Sequence, residues 1–224
     1  MIEFDGVGHS YEQRTVLRDV TLRIEQQRVA FVGANGSGKS TLARTINGLV
    51  RPSRGRVLVD GRDPAADGRA VRQRVGFVFT DPDSQIVMPT AAEDVAFSLR
   101  KKGLSKAQRA QRADELLAEH GLAGYGDHPA HQLSGGQKQL LALTAMLALD
   151  PDVLVCDEPT TLLDLRNKRD FARRLALLPQ QVVLVTHDLD LLADFERVVV
   201  LDEGRVVADD APAAALRAYR ELIG

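Results

Sequence analysis

Short runs of consecutive apolar residues recur along the chain, separated by longer stretches with helical periodicity. The runs cover residues 29–32, 57–59, 75–79, 153–156, 182–185 and 198–201. Because these runs are continuously apolar rather than alternating, they predict strands that are buried on both faces. Such strands, together with helices like the one predicted over 39–49, indicate an α/β fold with a mainly parallel sheet.

The middle of the chain has a different pattern. Between residues 90 and 149 no segment is typical of a strand, and helices are predicted over 92–99, 106–120 and 136–149. The 224 residues are enough for one domain that contains an insertion. We therefore expect a single domain over 1–224, with a helical subdomain at 90–149 inserted between the core segments 1–89 and 150–224.

Charge and cysteine content narrow the function classes. The 29 Lys and Arg residues against 31 Asp and Glu residues give a formal net charge of −2, which argues against a generally basic nucleic-acid-binding protein. Cys156 is the only cysteine, which excludes a disulfide framework and favours a reducing compartment. No apolar run reaches the roughly 18 residues of a membrane span, and the first residues lack a secretion-signal pattern. A role at a membrane is therefore expected to depend on another chain.

A glycine-rich loop follows the predicted strand at 29–32. Its sequence GANGSGKS, from Gly33 to Ser40, fits the pattern G-x-x-x-x-G-K-[ST] between a strand and a helix. Glycines let backbone N–H groups point at phosphate oxygens, and the helix N-terminus adds positive potential. The pattern predicts ATP binding, with Lys39 on the β and γ phosphates and Ser40 on Mg²⁺; a simple glycine-rich turn is the alternative. The candidate ATP contacts in this loop are Asn35, Gly36, Ser37, Gly38, Lys39, Ser40 and Thr41.

Two carboxylates follow the predicted strand at 153–156. Successive side chains of a strand point in different directions, so Asp157 and Glu158 are suited to different tasks. We expect Asp157 to hold Mg²⁺, directly or through water, and Glu158 to act as the base that positions the attacking water. Cys156 is interpreted as a core residue of the strand rather than a nucleophile.

Further motifs resemble those of the ATP-binding cassette (ABC) ATPases over essentially the whole chain. The LSGGQ segment at 133–137 is similar to the family signature, although Ser134 is also a good helix N-cap. Residues 159–164, ending in Asp164, resemble the D-loop, and His187 resembles the switch histidine that senses the γ-phosphate. Tyr11 is at a spacing similar to that of the aromatic that stacks on adenine. The expected signature residues are Ser134, Gly135, Gly136 and Gln137.

The resemblance implies a mechanism and a fold. In this family two cassettes close head to tail on two ATP molecules, and the signature of one caps the phosphate held by the other. One copy of each motif therefore implies a second cassette, and we expect a homodimer that does not bind nucleic acid. The family fold also implies an antiparallel β portion beside the parallel core.

Residues 79–97 resemble the corresponding loop and short helix of energy-coupling factor (ECF) uptake ATPases. The likeness lies in a Pro-Asp-x-Gln run followed by Pro-Thr and Glu-Asp-Val-Ala-Phe. It implies a cassette at the cytoplasmic face of the inner membrane, with a transmembrane coupling (T) subunit and a substrate-binding membrane subunit. Thr80 departs from the glutamine that the family usually has there, so Gln85 is assigned to the coupling loop rather than to the metal. The compact form further resembles the ATPase subunits of biotin importers.

Other interpretations stay open at this stage. The chain could be a soluble ABC ATPase of cofactor assembly, and Thr80 is compatible with a slow regulatory nucleotide-binding module. The stretch 100–106, with Arg109 and Arg112, carries basic residues and no acid. A solvated helix face explains it, as does contact with anionic lipid headgroups or a partner.

Overall fold

The computed structural model describes residues 1–224 and contains nine strands and seven α-helices. The strands are β1 (Ile2–Tyr11), β2 (Arg14–Ile24), β3 (Arg28–Val32), β4 (Arg54–Val59), β5 (Val75–Val78), β6 (Val153–Asp157), β7 (Gln181–Val185), β8 (Arg197–Asp202) and β9 (Arg205–Asp210). The helices are α1 (Lys39–Ile46), α2 (Gly68–Arg74), α3 (Ala91–Ser98), α4 (Lys106–Glu119), α5 (Gly135–Leu147), α6 (Leu165–Leu177) and α7 (Pro212–Ile223). None of the helices is both long enough and apolar enough to cross a membrane.

A six-stranded sheet in the order β5-β6-β7-β3-β8-β9 forms the centre of the molecule. Its first five strands are parallel and β9 is antiparallel to β8. Every residue of β3, β5 and β6 is buried, as the continuously apolar runs predicted. Because parallel strands end at the same edge, the segments that follow β3, β6 and β7 come together there.

A three-stranded antiparallel sheet, in the order β2-β1-β4, packs against the parallel sheet. The Phe4 and Phe31 rings meet edge to face, with centroids 6.4 Å apart. This confirms the expected α/β fold with an antiparallel portion, but the apolar-run criterion missed β1 and β2. Their burial alternates, and the pairing of β1 with β2 is interrupted by register shifts, so neither strand carries a continuous apolar run.

Between Ala91 and Leu147 the structure contains α3, α4, α5 and short 3₁₀ turns, and no β-strand. Ala91, Leu117 and Leu141 belong to a separate apolar cluster there, whereas Leu143 of α5 packs into the parallel-sheet core. The domain boundaries at 90 and 149 stay a prediction.

Several predicted element ends are wrong by one to three residues. Helix α1 ends at Ile46 rather than at residue 49, because Gly48 takes a left-handed conformation with φ of 75°. Strand β5 stops at Val78, so Phe79 lies outside it. Helix α5 begins at Gly135 and ends at Leu147, ahead of the predicted 136–149.

Candidate nucleotide-binding site

The phosphate loop joins β3 to α1 and depends on glycine for its path. Gly33, Gly36 and Gly38 all have positive φ, at 148°, 83° and 103°. A Cβ at Gly33 would overlap the carbonyl oxygen of Leu201, and one at Gly38 would lie 2.8 Å from the carbonyl oxygen of Val16. Only glycine fits both the backbone and the space, so the loop is held as a turn at the N-terminus of α1.

Lys39, the first residue of α1, is buried against this loop. Its Nζ donates hydrogen bonds to the carbonyl oxygens of Gly33, at 2.9 Å, and Ala34, at 3.0 Å. It also lies 3.9 Å from Oε1 of Glu158. Burial lowers the pKa of Lys39, and the carboxylates of Glu158 and Asp157 raise it in part. The loop therefore presents a positive charge that is already partly stripped of water.

A cavity of about 380 Å³ opens over the loop. It is lined by Tyr11, Arg14, Val16, Asn35, Gly36, Gly38, Lys39, Ser40, Thr41 and Glu158. The structure thus places Tyr11 beside the phosphate loop, as the predicted adenine contact requires. Ser37 is not part of this lining, since it is buried and its carbonyl accepts a hydrogen bond from the N–H of Gly204. Arg14 carries no local sequence signal, and only the pairing of β1 with β2 brings it to the cavity.

Asp157 is the last residue of β6 and is buried. Its Oδ2 accepts a hydrogen bond of 2.9 Å from Nη2 of Arg44, while its buried Oδ1 has no partner in the chain. A buried carboxylate oxygen without a partner is rare in folded proteins, and it suits a hard cation such as Mg²⁺. The residues present therefore fit the predicted metal. Arg44 was missed, because its contact joins positions 113 residues apart.

Glu158 follows directly and has a positive φ of 51°, which is uncommon for a residue other than glycine. Its Oε2 accepts a hydrogen bond of 3.0 Å from the Thr161 hydroxyl and contacts Nδ1 of His187. His187 follows β7, whose end is adjacent to that of β6. The structure thus brings the predicted base and the predicted switch histidine into direct contact.

Asp188, the residue after His187, is fixed by a contact with α6. Asp188 forms a 2.9 Å ion pair with Lys168 of α6, and both side chains are largely buried. Asp164 caps the same helix, with its Oδ1 accepting from the N–H of Asn167 at 2.8 Å. Helix α6 therefore links the predicted D-loop to the histidine loop.

The signature residues lie elsewhere in the chain. Ser134 caps α5 in a capping box with Gln137, so the simple interpretation as a helix start is correct. A Cβ at Gly136 would lie 2.8 Å from Cγ of Asn167, so glycine allows α5 to approach the start of α6. None of Ser134, Gly135, Gly136 and Gln137 lines the cavity over the chain's own phosphate loop.

Thr80 and Gln85 both use their side chains on backbone groups. The Thr80 hydroxyl donates to the carbonyl oxygen of Asp157 at 2.7 Å. Gln85 accepts from the N–H of Phe79 through Oε1 at 3.2 Å and lies after a single 3₁₀ turn, not within α3. Neither residue lines the cavity over the phosphate loop, so neither is placed to replace the expected glutamine there.

A second, more apolar groove of about 520 Å³ lies beside the loop that contains Gln85. It is lined by Gln85, Val87, Asp94, Phe97, Ser98, Arg100, Lys101, Ala145, Met146 and Leu149. Val87 and Phe97 are 65% and 41% exposed, and both lie in this one groove. Asp94 is buried and accepts hydrogen bonds from the N–H groups of Val87 and Met88, while burial raises its pKa. These bonds hold the loop that forms one wall of the groove.

Comparison with known proteins agrees with this geometry. Residues 17–161 match the family model described as ABC transporter. A putative ABC transporter ATP-binding protein of Deinococcus radiodurans is 52% identical over 99% of this chain and 98% of its own length. The biotin transport ATP-binding protein BioM of Rhizobium etli is 46% identical over 99% of this chain and 98% of its own length. The ECF transporter ATP-binding protein EcfA2 of Methanospirillum hungatei is 38% identical over 100% of this chain, which spans 58% of that protein.

Solved structures give the same result. The cbiO1 protein of Clostridium perfringens, described as part of the ABC transporter complex cbiONQ, has a TM-score of 0.85 and 31% identity. The alignment covers 99% of this chain and 92% of that one. The dimeric structure of the bacterial ABC transporter cassette MJ0796 also has a TM-score of 0.85, with 31% identity over 95% and 99% of the two chains. The chain therefore belongs to the ABC transporter family and is one of its ATP-binding subunits, an ATPase.

Proposed function

We propose that this chain is the ATP-hydrolysing subunit of an ECF-type importer, and that the imported substrate is biotin. The observation that carries the proposal is near-complete alignment, at 46% identity, with a relative named for biotin transport. The ECF-like segment at 79–97 and the relative named EcfA2 support the same branch. A vitamin or metal ion is the wider substrate class that the ECF branch implies.

At the phosphate loop, backbone N–H groups of Gly36 and Gly38 and the Lys39 ammonium bind the phosphates of ATP, and Tyr11 stacks on the base. Ser40 and the free Oδ1 of Asp157 would hold Mg²⁺, which would supply positive charge to offset that of the phosphates. When ATP binds, Lys39 gives up its hydrogen bonds to the carbonyl oxygens of Gly33 and Ala34 and donates to phosphate oxygens instead.

Glu158 accepts the proton of the attacking water. The contact with His187 holds the Glu158 carboxylate at the end of β6, and Thr161 fixes its second hydrogen bond. Because Glu158 lies within 4 Å of Lys39, a base and a phosphate-binding cation share one side of the cavity. This arrangement supports in-line hydrolysis of the γ-phosphate.

The active assembly is a homodimer, in which Ser134 and the Gly135–Gly136 backbone of one copy cap the phosphate held by the other. The proposal rests on the separation of the signature residues from the cavity within one chain. Asp164 accepts a hydrogen bond from Asn167, and the Asn167 side chain lies against Gly136 of the signature. These contacts connect the two half-sites.

The second groove receives a helix of the transmembrane coupling subunit. Exposed Val87 and Phe97 supply an apolar floor, and Arg100 and Lys101 supply a charged rim. Gln85 joins this groove to the catalytic edge, since its side chain bonds to Phe79 at the end of β5. The subunit thus works peripherally at the cytoplasmic face of the inner membrane, together with a substrate-binding membrane subunit.

A slow regulatory module is the second candidate. The engagement of both Thr80 and Gln85 with backbone groups favours it, since no glutamine amide lines the catalytic cavity. Phosphate release from the purified chain distinguishes the two functions, since a regulatory module turns over too slowly to drive transport.

The test is co-expression with the membrane proteins encoded beside the gene, in a host that lacks biotin import. We expect these proteins to co-purify and labelled biotin to accumulate. Glu158→Gln is expected to abolish uptake, and Glu221→Gln, an exposed glutamate of α7, serves as the matched control. Co-purification with uptake of another vitamin or of a metal ion would correct the substrate alone. Absence of any membrane partner would overturn the importer and favour cofactor assembly.

A further inference from the structure

A group of cations extends from the rim of the second groove onto the start of α4. We define the basic rim as Arg100, Lys101, Lys102, Lys106 and Arg109. None of these five side chains forms an ion pair with a carboxylate. Arg112 does not belong to the rim, because it pairs with Glu115 and Glu119. The rim is therefore a concentration of charge that the chain itself leaves uncompensated.

The rim cations differ in how far the fold accounts for them: Arg109 donates a hydrogen bond to the carbonyl oxygen of Leu104, whereas Lys106 has no such contact. Lys106 and Arg109 occupy the first turn of α4, which contains no acidic residue. The helix macrodipole is positive there and favours carboxylates over ammonium and guanidinium groups. Lys101 and Lys102 are exposed, next to Gly103, which has a positive φ of 73°. The cations at the start of α4 are thus placed at a small electrostatic cost to the isolated chain, whereas Lys101 lies in the last turn of a 3₁₀ segment, where a cation is favoured.

Apolar side chains lie directly beside the basic rim. The Arg100 guanidinium stacks over the Phe97 ring, 4.5 Å from its centroid, so the ring and the charge share one surface. Val87 is exposed in the same groove. Val87 and Phe97 line the groove assigned to the transmembrane subunit. Lys102, Lys106 and Arg109 do not line it, so they remain free for the anionic headgroups beside that contact.

The net charge of the chain and the charge of the rim have opposite signs. The whole chain has a formal net charge of −2, so outside the five rim cations it is net acidic. The net charge of the chain therefore gives no attraction to an anionic surface, and any such attraction comes from local basic patches such as the rim. A surface without charge does not attract the rim.

We propose that the basic rim binds the anionic headgroups of the lipid bilayer and sets the orientation of the subunit at the membrane. The inference rests on the proposed docking of the second groove with a transmembrane subunit, because a chain docked there is held at the membrane. It adds a second attachment, made to lipid rather than protein. Its strength falls with salt, because exposed charges are screened within a Debye length of about 10 Å at 0.1 M.

The test is co-sedimentation of the full chain with vesicles of phosphatidylglycerol and phosphatidylcholine, compared with pure phosphatidylcholine vesicles. The variant Lys102→Gln/Lys106→Gln removes two rim cations that do not line the groove. At about 1 kcal/mol for each basic residue near an anionic surface, we expect roughly 30-fold weaker partitioning at low salt. The matched control is Arg166→Gln/Arg169→Gln, two exposed arginines of α6 without carboxylate partners, for which we expect little change.

Each result bears on the proposal. Equal binding of the wild type to both kinds of vesicle, or an equal loss in the α6 control, would overturn it. Loss of co-purification with the membrane subunits in detergent, with vesicle binding unchanged, would assign the rim to a protein partner and also overturn it. Selective vesicle binding without any co-purifying subunit would support the rim and count against the importer. Basal ATP hydrolysis is expected to stay unchanged in both variants, since neither pair lies in the nucleotide site.

Discussion

At the scale of single residues, Glu158 combines the contacts that its predicted role needs. It accepts hydrogen bonds from Thr161, contacts His187 and lies near Lys39. Glu158→Gln preserves the shape but removes the base, so we expect ATP affinity to be retained and turnover to fall by roughly 10²- to 10⁴-fold. Lys39→Ala should instead weaken ATP binding, because it removes a charge partner of the phosphates.

Equilibrium binding of ATP and steady-state phosphate release measure these two effects separately. Glu221→Gln removes one carboxylate far along the chain and should behave as the wild type. Near-normal turnover in Glu158→Gln would sink the assignment of this residue as the base.

Thr80 stands where the related ATPases usually have a glutamine, and the structure shows what its side chain does instead. Its hydroxyl bonds to the carbonyl of Asp157 at 2.7 Å, so it supports the strand end and does not line the cavity. A glutamine there gains a hydrogen bond to a charged group worth about 1.5–3 kcal/mol, or roughly 10- to 150-fold in rate at most. The lost Asp157 contact and bridging water reduce this gain, so Thr80→Gln should raise turnover modestly with ATP affinity unchanged.

Gln85→Ala is the companion variant. Because Gln85 lies in the second groove, we expect it to lower transporter-stimulated turnover more than basal turnover. Basal and stimulated phosphate release are measured for both variants. If Gln85→Ala abolished basal turnover while Thr80→Gln changed nothing, Gln85 would be the metal-site glutamine after all.

At the scale of secondary-structure elements, a buried arginine joins β3 to the end of α6. The Arg28 guanidinium donates to the carbonyl oxygens of Ala176, at 3.2 Å, and Gln180, at 2.7 Å, and also bonds to that of Leu178. It therefore satisfies carbonyl groups that the C-terminus of α6 leaves without partners.

Arg28→Met keeps the apolar stem but leaves those buried carbonyls unsatisfied, so we expect the free energy of unfolding to fall by about 3 kcal/mol. Arg56→Met, which removes an exposed pair with Asp5, should change it by no more than about 0.5 kcal/mol. Chemical denaturation without nucleotide makes the comparison. Equal losses in the two variants would contradict the capping role.

At the scale of the whole molecule, the proposed homodimer divides each catalytic site between two chains. The cavity over the phosphate loop is about 380 Å³ and is lined by none of the signature residues. We therefore expect Glu158→Gln, which traps bound ATP, to dimerise when Mg-ATP is added. Light scattering with and without Mg-ATP measures the mass, and Glu158→Gln/Lys39→Ala is the control that should stay monomeric. A monomer in saturating ATP would exclude the homodimer and indicate a different cassette chain as the partner.

Much of the fold and of the candidate site was predictable from sequence, because local rules apply there. Five of the six apolar runs became strands of the buried six-stranded sheet, since strands buried on both faces need continuous apolar residues. The run at 57–59 also became a strand, but it lies in β4 of the antiparallel sheet, where burial alternates, so the prediction of burial on both faces is wrong there. The phosphate loop needs glycines at three positions of positive φ, so its pattern is visible in any sequence that forms it. Asp157, Glu158 and His187 follow predicted strands, and parallel strands bring their ends to one edge.

Only the tertiary structure decided the contacts that depend on long separations. Arg14 lines one cavity with the phosphate loop although the two are distant in sequence, and Arg44 meets Asp157 across 113 residues. The use of Thr80 and Gln85 on backbone groups depends on how the loop after β5 packs against β6 and α5. Local periodicity reports which side of an element is buried, but not which distant side chain it meets, because many pairings bury the same area. Sequence alone therefore determined which residue types form the candidate site, and tertiary packing decided which groups hold its carboxylates in place.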